Sequence, residues 1–332
     1  MEFRLELQIK PWKQQLNLRD KVMLLGSCFT EHMSAKLAQS GFGICENPHG
    51  ILFNPVSILN SLEAYTTKTT YDASDLFHFN GLWHSWHHHG RFISVDPEEA
   101  LKLMNNETSI GSGAIRSTNW LIITLGSAFV YELKQESGFD LNGSNRVVAN
   151  CHKVPAQHFI HRLLSYQEVQ AALDKMIVMV RSKNPGVKIV FTISPVRHYR
   201  EGLVENNRSK GLLHNAVGAM ESLHENVCYF PAYELINDDL RDYRYFAEDL
   251  VHPNYQATQY VWEKFTAACI DEESRVLMER ISKINGAMQH RPRQPESEQH
   301  KAFLQKMQVE TRALKELAPF LKLDDALAFF SR

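Results

Sequence analysis

Four short apolar runs alternate along the chain with segments whose apolar positions follow a helical period. The runs cover residues 22–26, 120–126, 187–194 and 227–231. They are largely continuous rather than alternating, which is typical of strands buried on both faces of a parallel sheet. Strands that alternate with helices predict an α/β sandwich built on such a sheet.

Capping residues and glycines mark the ends of the predicted helices. Ser165 and Glu168 form a capping box, and Asn184-Pro185-Gly186 ends the helix that follows it. Residues 30–40 are predicted to form the helix after the first strand, and residues 255–269 a late helix. Residues 54–118 are more irregular, and the pattern predicts no order of elements there.

The C-terminal part of the chain has a different character. Residues 290–299, HRPRQPESEQ, are polar and carry two prolines, which is typical of a linker or a wrapping segment. The residues after them show helical apolar spacing, at Phe303, Leu304, Met307, Val309 and Leu314. We therefore predict a main domain over residues 1–275 and a helical extension over residues 276–332 that packs on it or wraps around it.

Composition narrows the class of protein. The 332 residues suit one large domain with appendages, or two domains. Lys and Arg number 36 against 38 Asp and Glu, so no basic excess points to nucleic acid or an anionic membrane. Five cysteines, none at CxxC spacing, predict neither a disulfide framework nor a zinc knuckle. With no apolar membrane span and no signal-peptide region visible, we expect a cytoplasmic protein.

The first apolar run ends in Gly26-Ser27-Cys28, which is a candidate catalytic segment. Open parallel sheets bind ligands at the carboxyl ends of their strands, so the Ser27 hydroxyl is expected at the crevice. The N–H groups of the following helix would favour an oxyanion there. A serine needs a base to become a nucleophile, and Asp249 with His252 can provide one. Asp249 would hold the imidazole tautomer while His252 takes the proton.

GSCF at 26–29 together with DLVH at 249–252 resembles the SGNH/GDSL hydrolase superfamily. The chain is more closely similar to the GSCFA family, whose motif reads GSCFT here. Further stretches in the same order support the match: NPHGILFNP (47–55), TLGSAFVYE (124–132), NCHKVP (150–155), SPVRH (194–198), ENNRSK (205–210) and RDYRYFAEDLVHP (241–253). The resemblance implies a flavodoxin-like three-layer sandwich with an inserted region and a helical C-terminal extension. It implies the catalytic residues Ser27, Asp249 and His252, and no cofactor.

The superfamily comparison also implies three oxyanion donors. They are the Ser27 N–H, a glycine N–H that Gly50 matches, and an asparagine side chain in a GxND block. Here the block reads GSAF, so Ala128 stands where asparagine would be. Loss of one such donor lowers the rate by about 10²–10³-fold. We expect a replacement donor beside the Ser27 Oγ from one of three residues: Ser127, Asn54 or Asn150.

Polar residues of the shared stretches are candidate substrate contacts, with the alternative that they are solvated loop residues. They are Asn54, Asn150, His152, Lys153, Arg197, Asn207 and Lys210, and the resemblance implies in addition that His89 faces the cleft. An arginine suits bidentate binding of a carboxylate or a phosphate. The histidines of WHSWHHHGRF at 83–92 raise the question of a metal, but neighbours on an extended segment point to opposite faces, so we predict none. Trp83 and Trp86 are expected to cover the core rather than to stack on a sugar.

These patterns predict a serine hydrolase of the esterase type that cleaves a small acyl ester, with an acyl group on a carbohydrate among the candidates. An acyltransferase would use the same acyl-enzyme with an alcohol as acceptor. A third alternative is a noncatalytic glycan-binding or scaffold protein, in which Ser27 is only a helix N-cap and which the Ala128 departure favours. Cys28 is a rival nucleophile, but we expect it to turn inward and pack. No nucleic-acid or membrane partner is expected.

Overall fold

The computed structural model describes residues 5–140 and 146–331. Its strands are β1 (Lys21–Gly26), β2 (Gly43–Glu46), β3 (Phe77–Phe79), β4 (Leu82–His84), β5 (Trp120–Leu125), β6 (Phe129–Leu133), β7 (Phe159–Leu163), β8 (Lys188–Ile193) and β9 (Val227–Phe230). Its α-helices are α1 (Cys28–Gln39), α2 (Pro55–Thr67), α3 (Pro97–Ser117), α4 (Tyr166–Lys183), α5 (Leu203–Leu223), α6 (Ala232–Glu234), α7 (Tyr255–Cys269), α8 (Glu272–Gln289), α9 (Glu298–Leu317) and α10 (Asp324–Phe330).

A five-stranded sheet forms the centre of the first of two compact units, which comprises residues 5–8, 21–33 and 44–261. The strand order is β2–β1–β5–β8–β9, and β1 with β5, β5 with β8 and β8 with β9 pair in parallel. β5 is buried at every position and β1 at all but its first, as their apolar runs predicted. The predicted α/β fold with a parallel sheet flanked by helices is confirmed.

The main core lies between this sheet and the helices α2, α4 and α5. Helix α4 presents Leu173, Met176, Ile177 and Val180 at helical spacing, and all four are buried. Burial of each such side chain stabilises the fold by about 1.5–3 kcal/mol. The predicted capping box of α4 is present, because the Ser165 side chain accepts from the Glu168 N–H.

Residues 54–118, for which the pattern gave no order, contain two helices. Asn54 caps α2 by accepting from the Ser57 N–H, and Asp96 caps α3 by accepting from the Glu98 N–H. Proline follows each cap, which is a helix-start signature that the sequence carries. The buried face of α3 includes the small or polar residues Thr108, Gly111 and Ser112. Between the two helices, β3 and β4 form an antiparallel hairpin.

The second unit comprises residues 9–20, 34–43 and 262–331. In it the Leu16 N–H donates to the Cys269 carbonyl at 2.7 Å. The predicted tail helix is α9, in which Met307 and Leu314 are buried but Val309 is 60% exposed. The division differs from the predicted boundary at residue 275, since two N-terminal segments belong with the C-terminal helices. Among the described residues, no helix combines the length and the apolar character needed to cross a bilayer.

The carboxyl end of β1 lies directly against β5. Gly26 has a φ of +139°, and a Cβ at this position would lie 2.2 Å from the Thr124 carbonyl oxygen. The same oxygen accepts from the Ser27 N–H at 3.2 Å, while the Gly26 N–H donates to Asn47 Oδ1 at 2.8 Å. Only glycine fits between these groups, so the chain leaves the sheet at Ser27.

Substitution of Gly26 by alanine should therefore destabilise the protein strongly. We expect a loss of about 3 kcal/mol or more in the free energy of unfolding, from backbone strain together with overlap at the Thr124 carbonyl. Gly81→Ala is the matched control, because Gly81 also has a positive φ, of +77°, but open space around a Cβ. It should lose about 1 kcal/mol. Urea denaturation measures both, and equal losses would contradict the steric explanation.

Candidate active site

A cavity of about 390 Å³ lies beyond the carboxyl ends of β1, β5 and β8. Its wall is largely apolar or aromatic, with a few serines, histidines and arginines. The lining residues are Ser27, Cys28, Ile51, Phe53, Ser127, Phe129, Tyr131, His161, Val196, Arg197, His198, Tyr199, Arg200, Glu201, Val251 and His252. Ser27 and His252, which are far apart in sequence, thus share one cavity at the sheet edge where parallel sheets bind ligands.

Asp249 holds the ring of His252 in place. Its Oδ2 lies 2.6 Å from His252 Nδ1, and its Oδ1 accepts the N–H groups of Val251 and His252 at 2.9 and 3.0 Å. Leu250 has a φ of +58°, so the loop turns sharply between the acid and the imidazole. The hydrogen bonds from His252 and Val251 lower the pKa of Asp249 to about 2, so the carboxylate is ionised and can only accept.

The Ser27 side chain is not engaged in capping α1. The Thr30 N–H donates to the Ser27 backbone carbonyl at 2.8 Å, whereas the Ser27 Oγ is buried and has no hydrogen-bond partner in the described part of the chain. A serine N-cap would accept a helix N–H with this oxygen. The alternative in which Ser27 is only an N-cap therefore lacks its defining contact. In the same structure, the Ser27 Oγ makes no hydrogen bond to His252 either.

Cys28 does not turn inward as expected. It is half-buried and lines the cavity, while Ser27 beside it is only 3% exposed. Burial and the nearby Glu31 carboxylate raise the pKa of the thiol. Since the thiolate is the nucleophilic form of cysteine, this environment disfavours Cys28 as the nucleophile.

Two of the predicted oxyanion donors are already bonded within the protein. The Ser27 N–H donates to the Thr124 carbonyl, and the Gly50 N–H donates to the Asn47 carbonyl at 2.7 Å. Gly50 lies against the side chain of His89 and does not line the cavity. Their role as donors remains a prediction that would require these hydrogen bonds to be shared or broken.

The loop after β5 contains Ala128, which stands where the superfamily has an asparagine. Ala128 is fully buried in the main core, and its N–H donates to Ser209 Oγ at 2.7 Å. Ser127 does line the cavity, and its Oγ lies 3.2 Å from Ser209 Oγ and accepts the Phe129 N–H at 3.1 Å. When Ser209 donates to Ser127, the Ser127 hydroxyl keeps its own proton for a ligand. Of the three expected replacements, Ser127 alone lines the cavity.

Several predicted substrate contacts have other partners and do not line the cavity. Asn54 caps α2, and Asn150 Oδ1 accepts the N–H of His152 at 2.8 Å. His152 Nε2 contacts the Ser85 carbonyl at 2.7 Å, and Lys153 is exposed. These polar groups stabilise their own loops, a local use that sequence spacing does not distinguish from substrate binding.

The ENNRSK stretch likewise supports the cavity from behind. Lys210 is buried, and its Nζ donates to the carbonyls of Gly126 and Ser194 at 2.6 and 2.7 Å. Burial lowers its pKa to about 7. Asn207 is exposed and accepts from Asn206 Nδ2 at 3.3 Å. Among the predicted substrate contacts, Arg197 lines the cavity.

Among the other lining residues, His198 belongs to the SPVRH stretch noted in the sequence, whereas Arg200 and Tyr131 were not singled out. The His198 ring lies tilted against that of Phe53, with ring centroids 5.1 Å apart, and its Nε2 is buried without a partner in the described chain. Burial and the Lys210 charge lower the pKa of His198 to about 3, so its ring is neutral. Arg200 and Tyr131 complete another part of the wall. Arg200 follows β8 and Tyr131 lies in β6. The sequence could place them at the cavity only if the pairing of β6 with β7 were already known.

Comparison with known proteins identifies the family. Residues 21–265 match the GSCFA family, and residues 281–332 match the C-terminal domain of GSCFA domain proteins. The chain belongs to the GSCFA family. A comparison of this GSCFA chain with curated proteins gives no match.

Solved structures that resemble the GSCFA chain include carbohydrate esterases. A family 3 carbohydrate esterase from Talaromyces cellulolyticus is 11% identical, with a TM-score of 0.35 over 80% of this chain and 99% of that one. The Clostridium thermocellum family 3 carbohydrate esterase is 10% identical, with a TM-score of 0.36 over 78% and 99%. The acetyl xylan esterase Est2A from Butyrivibrio proteoclasticus is 9% identical, with a TM-score of 0.33 over 76% and 63%.

The histidines of WHSWHHHGRF contribute to a buried aromatic cluster. Within residues 5–140 and 146–331, no group of three or more His, Cys, Asp or Glu residues could hold a metal ion. His88 is fully buried, with its ring 4.2 Å from that of His49, and Trp86 stacks on Phe77 at 3.8 Å. Burial lowers the pKa of His49 to about 3 and that of His88 well below its ordinary value.

Buried neutral histidines predict a loss of stability in mild acid. Below about pH 6.5 the unfolded chain binds protons on His49, His88 and His152 that the folded protein does not bind, because burial lowers these pKa values. The free energy of unfolding should fall with pH by up to about 1.4 kcal/mol per pH unit for each histidine. Urea denaturation at pH 7.5, 6.5 and 5.5 measures the slope.

The variant His152→Asn tests this assignment. Asparagine tolerates the φ of +48° at this position but does not titrate. The variant should lose about 1 kcal/mol of unfolding free energy at pH 7.5, because it lacks the contact to the Ser85 carbonyl. Its stability should also depend less steeply on pH between 6.5 and 4, since burial lowers the pKa of His152 to about 4. If the unfolding free energy of the variant depends on pH as steeply as that of the wild type, His152 does not contribute to the loss of stability in acid.

Proposed function

We propose that this GSCFA protein is a serine hydrolase of the esterase type, which cleaves a small acyl ester through Ser27, His252 and Asp249. The observation that carries the proposal is the 2.6 Å contact between Asp249 Oδ2 and His252 Nδ1, on a loop that lines the same cavity as Ser27. Because the ionised carboxylate can only accept, Nδ1 must carry the proton, which leaves the lone pair on Nε2. His252 then has the tautomer of a general base.

The first half-reaction forms an acyl-enzyme. The Ser27 Oγ attacks the ester carbonyl carbon while His252 Nε2 takes its proton. The Ser27 hydroxyl has no partner, so it breaks no hydrogen bond in the protein when it turns toward the imidazole. Collapse of the tetrahedral intermediate breaks the bond to the alcohol oxygen, and the His252 imidazolium protonates the departing alcohol.

The negative charge of the intermediate needs donors at the edge of the sheet. The N–H group of Cys28, a residue that lines the cavity, belongs to the first turn of α1, where backbone amides have no carbonyl acceptor within the helix. We assign this amide and the Ser127 hydroxyl to the oxyanion, in place of an asparagine at position 128. Helix N-termini favour such a charge.

Deacylation repeats the proton transfers with a new acceptor. A water molecule attacks the acyl carbonyl, His252 takes its proton, and Ser27 leaves with that proton as the carboxylic acid departs. An acyltransferase would differ only at this step, by using an alcohol in place of water. The proposal commits to hydrolysis, and analysis of the products in the presence of added alcohols separates the two reactions.

A fluorophosphonate probe tests the nucleophile directly. We expect one adduct by intact mass, mapped to Ser27, in the wild type and in Cys28→Ala, and no adduct in Ser27→Ala. Ser27→Ala should lower kcat for a short acyl ester by at least about 10³-fold. Its free energy of unfolding should stay within about 0.5 kcal/mol of the wild type, since the hydroxyl makes no hydrogen bond.

Two other outcomes would change the proposed nucleophile or the proposed function. An adduct on Cys28 that survives Ser27→Ala would make this a thiol enzyme. A wild type that forms no adduct and turns over no short acyl ester would favour the noncatalytic alternative.

A further inference from the structure

We infer that the substrate of this site carries an anionic group, a carboxylate or a phosphate, which Arg197 and Arg200 bind at the wall of the cavity. The inference rests on the proposed function for the reacting centre and adds the chemical class of its substrate. It is carried by two arginines that line the cavity, contact aromatic rings and form no ion pair with a carboxylate in the described part of the chain.

Arg197 is positioned by two aromatic rings. Its guanidinium carbon lies 4.2 Å from the ring centroid of Phe246 and 5.0 Å from that of Tyr243. Its backbone N–H donates to the Val251 carbonyl at 3.3 Å, which joins it to the loop of His252. Aromatic rings contact the face of a guanidinium, whereas its N–H groups point outward in the plane. The donors that bind a carboxylate or a phosphate are therefore left for a ligand.

Arg200 is arranged in a similar way on the neighbouring wall. Its guanidinium carbon lies 5.4 Å from the ring centroid of Tyr131, and the residue is exposed at the mouth of the cavity. Tyr131 itself stacks on His161 at 4.2 Å. Both arginines thus contact aromatic rings, and such contacts reduce the entropy lost when an anion binds.

The acidic groups nearby lie against histidines rather than against these arginines. Glu201 Oε1 lies 3.4 Å from His161 Nε2, and Asp249 pairs with His252. By contrast, Arg162 pairs with the carboxylates of Glu132 and Glu168. In the described chain, neither Arg197 nor Arg200 forms an ion pair with a carboxylate. An apolar cavity with a nucleophile and two cations that form no ion pair is complementary to an anionic substrate, although the Glu201 carboxylate lies in the same wall.

The test compares matched acetyl esters. The substrates are 4-acetoxybenzoate, 4-acetoxyphenyl phosphate and the uncharged methyl 4-acetoxybenzoate, and the quantity is the ratio of kcat/KM for each anionic ester to that for the neutral ester. Comparison of this ratio between variants cancels the intrinsic reactivities of the esters. Arg197→Gln and Arg200→Gln should each lower at least one ratio by about tenfold or more. The ester whose ratio falls further distinguishes carboxylate from phosphate.

Arg208→Gln is the control variant. Arg208 lies on α5 as an exposed arginine paired with Glu205, and it does not line the cavity. Its ratios should equal those of the wild type. The wild-type ratios should also fall when NaCl is raised from 50 to 500 mM, a measurement that holds even if an arginine variant fails to fold. Ratios that are the same in the wild type, Arg197→Gln and Arg200→Gln and insensitive to salt would overturn the inference.

A binding measurement separates this inference from the proposed function. Titration calorimetry of Ser27→Ala with 4-hydroxybenzoate and phenyl phosphate requires no turnover. If no ester is hydrolysed but either anion binds, and Arg197→Gln in the Ser27→Ala background abolishes binding, then the anion site holds and the hydrolase proposal fails. If Ser27-dependent hydrolysis of the neutral ester is present but neither anion binds, then the anion site fails and the hydrolase proposal holds. Absence of both would overturn both.

Discussion

The site depends on one close backbone contact, between the end of β1 and the Thr124 carbonyl of β5. A side chain at Gly26 would overlap that oxygen, and the same oxygen accepts the Ser27 N–H. The contact sets where the chain leaves the sheet, and hence where the Ser27 hydroxyl can lie. Asn47 binds the Gly26 N–H from the other side. The nucleophile candidate is therefore positioned by rigid strands rather than by a loop, which favours precise placement of a reacting group.

Helix α5 provides a second set of constraints on the cavity. Asn206 Oδ1 accepts the His198 N–H, Ser209 Oγ accepts the Ala128 N–H, and Lys210 Nζ binds the Gly126 and Ser194 carbonyls. Three side chains of one helix thus fix the loops that follow β5 and β8. Buried polar groups without such partners would be costly, so the three contacts support one another. Lys210, which the sequence made a candidate substrate contact, instead supports the loops of the cavity wall.

The features that could be predicted from the sequence are those that depend on residues close together in the chain. Strands buried on both faces appear as apolar runs, and Asp249 and His252 lie in one short turn, so both were predictable. The edge strand β2 has four residues, none of them buried, and was missed because it carries no apolar run. Helix α3 was not predicted either, although Asp96 and Pro97 mark its start. The wall that contains Tyr131 and Arg200 depends on pairing between β6 and β7, which a long connection separates and which no local period encodes.

The discontinuous second unit has a consequence for biosynthesis. Residues 9–20 and 34–43 emerge from the ribosome early, but their partners at 262–331 are made last. At about 5–20 residues per second, roughly 15–60 s pass between the two. During that interval Leu16 and Leu37, both fully buried in the finished protein, have no completed unit to cover them. Nascent chains stalled before residue 262 should therefore be good clients for chaperones, even when the first unit has already folded.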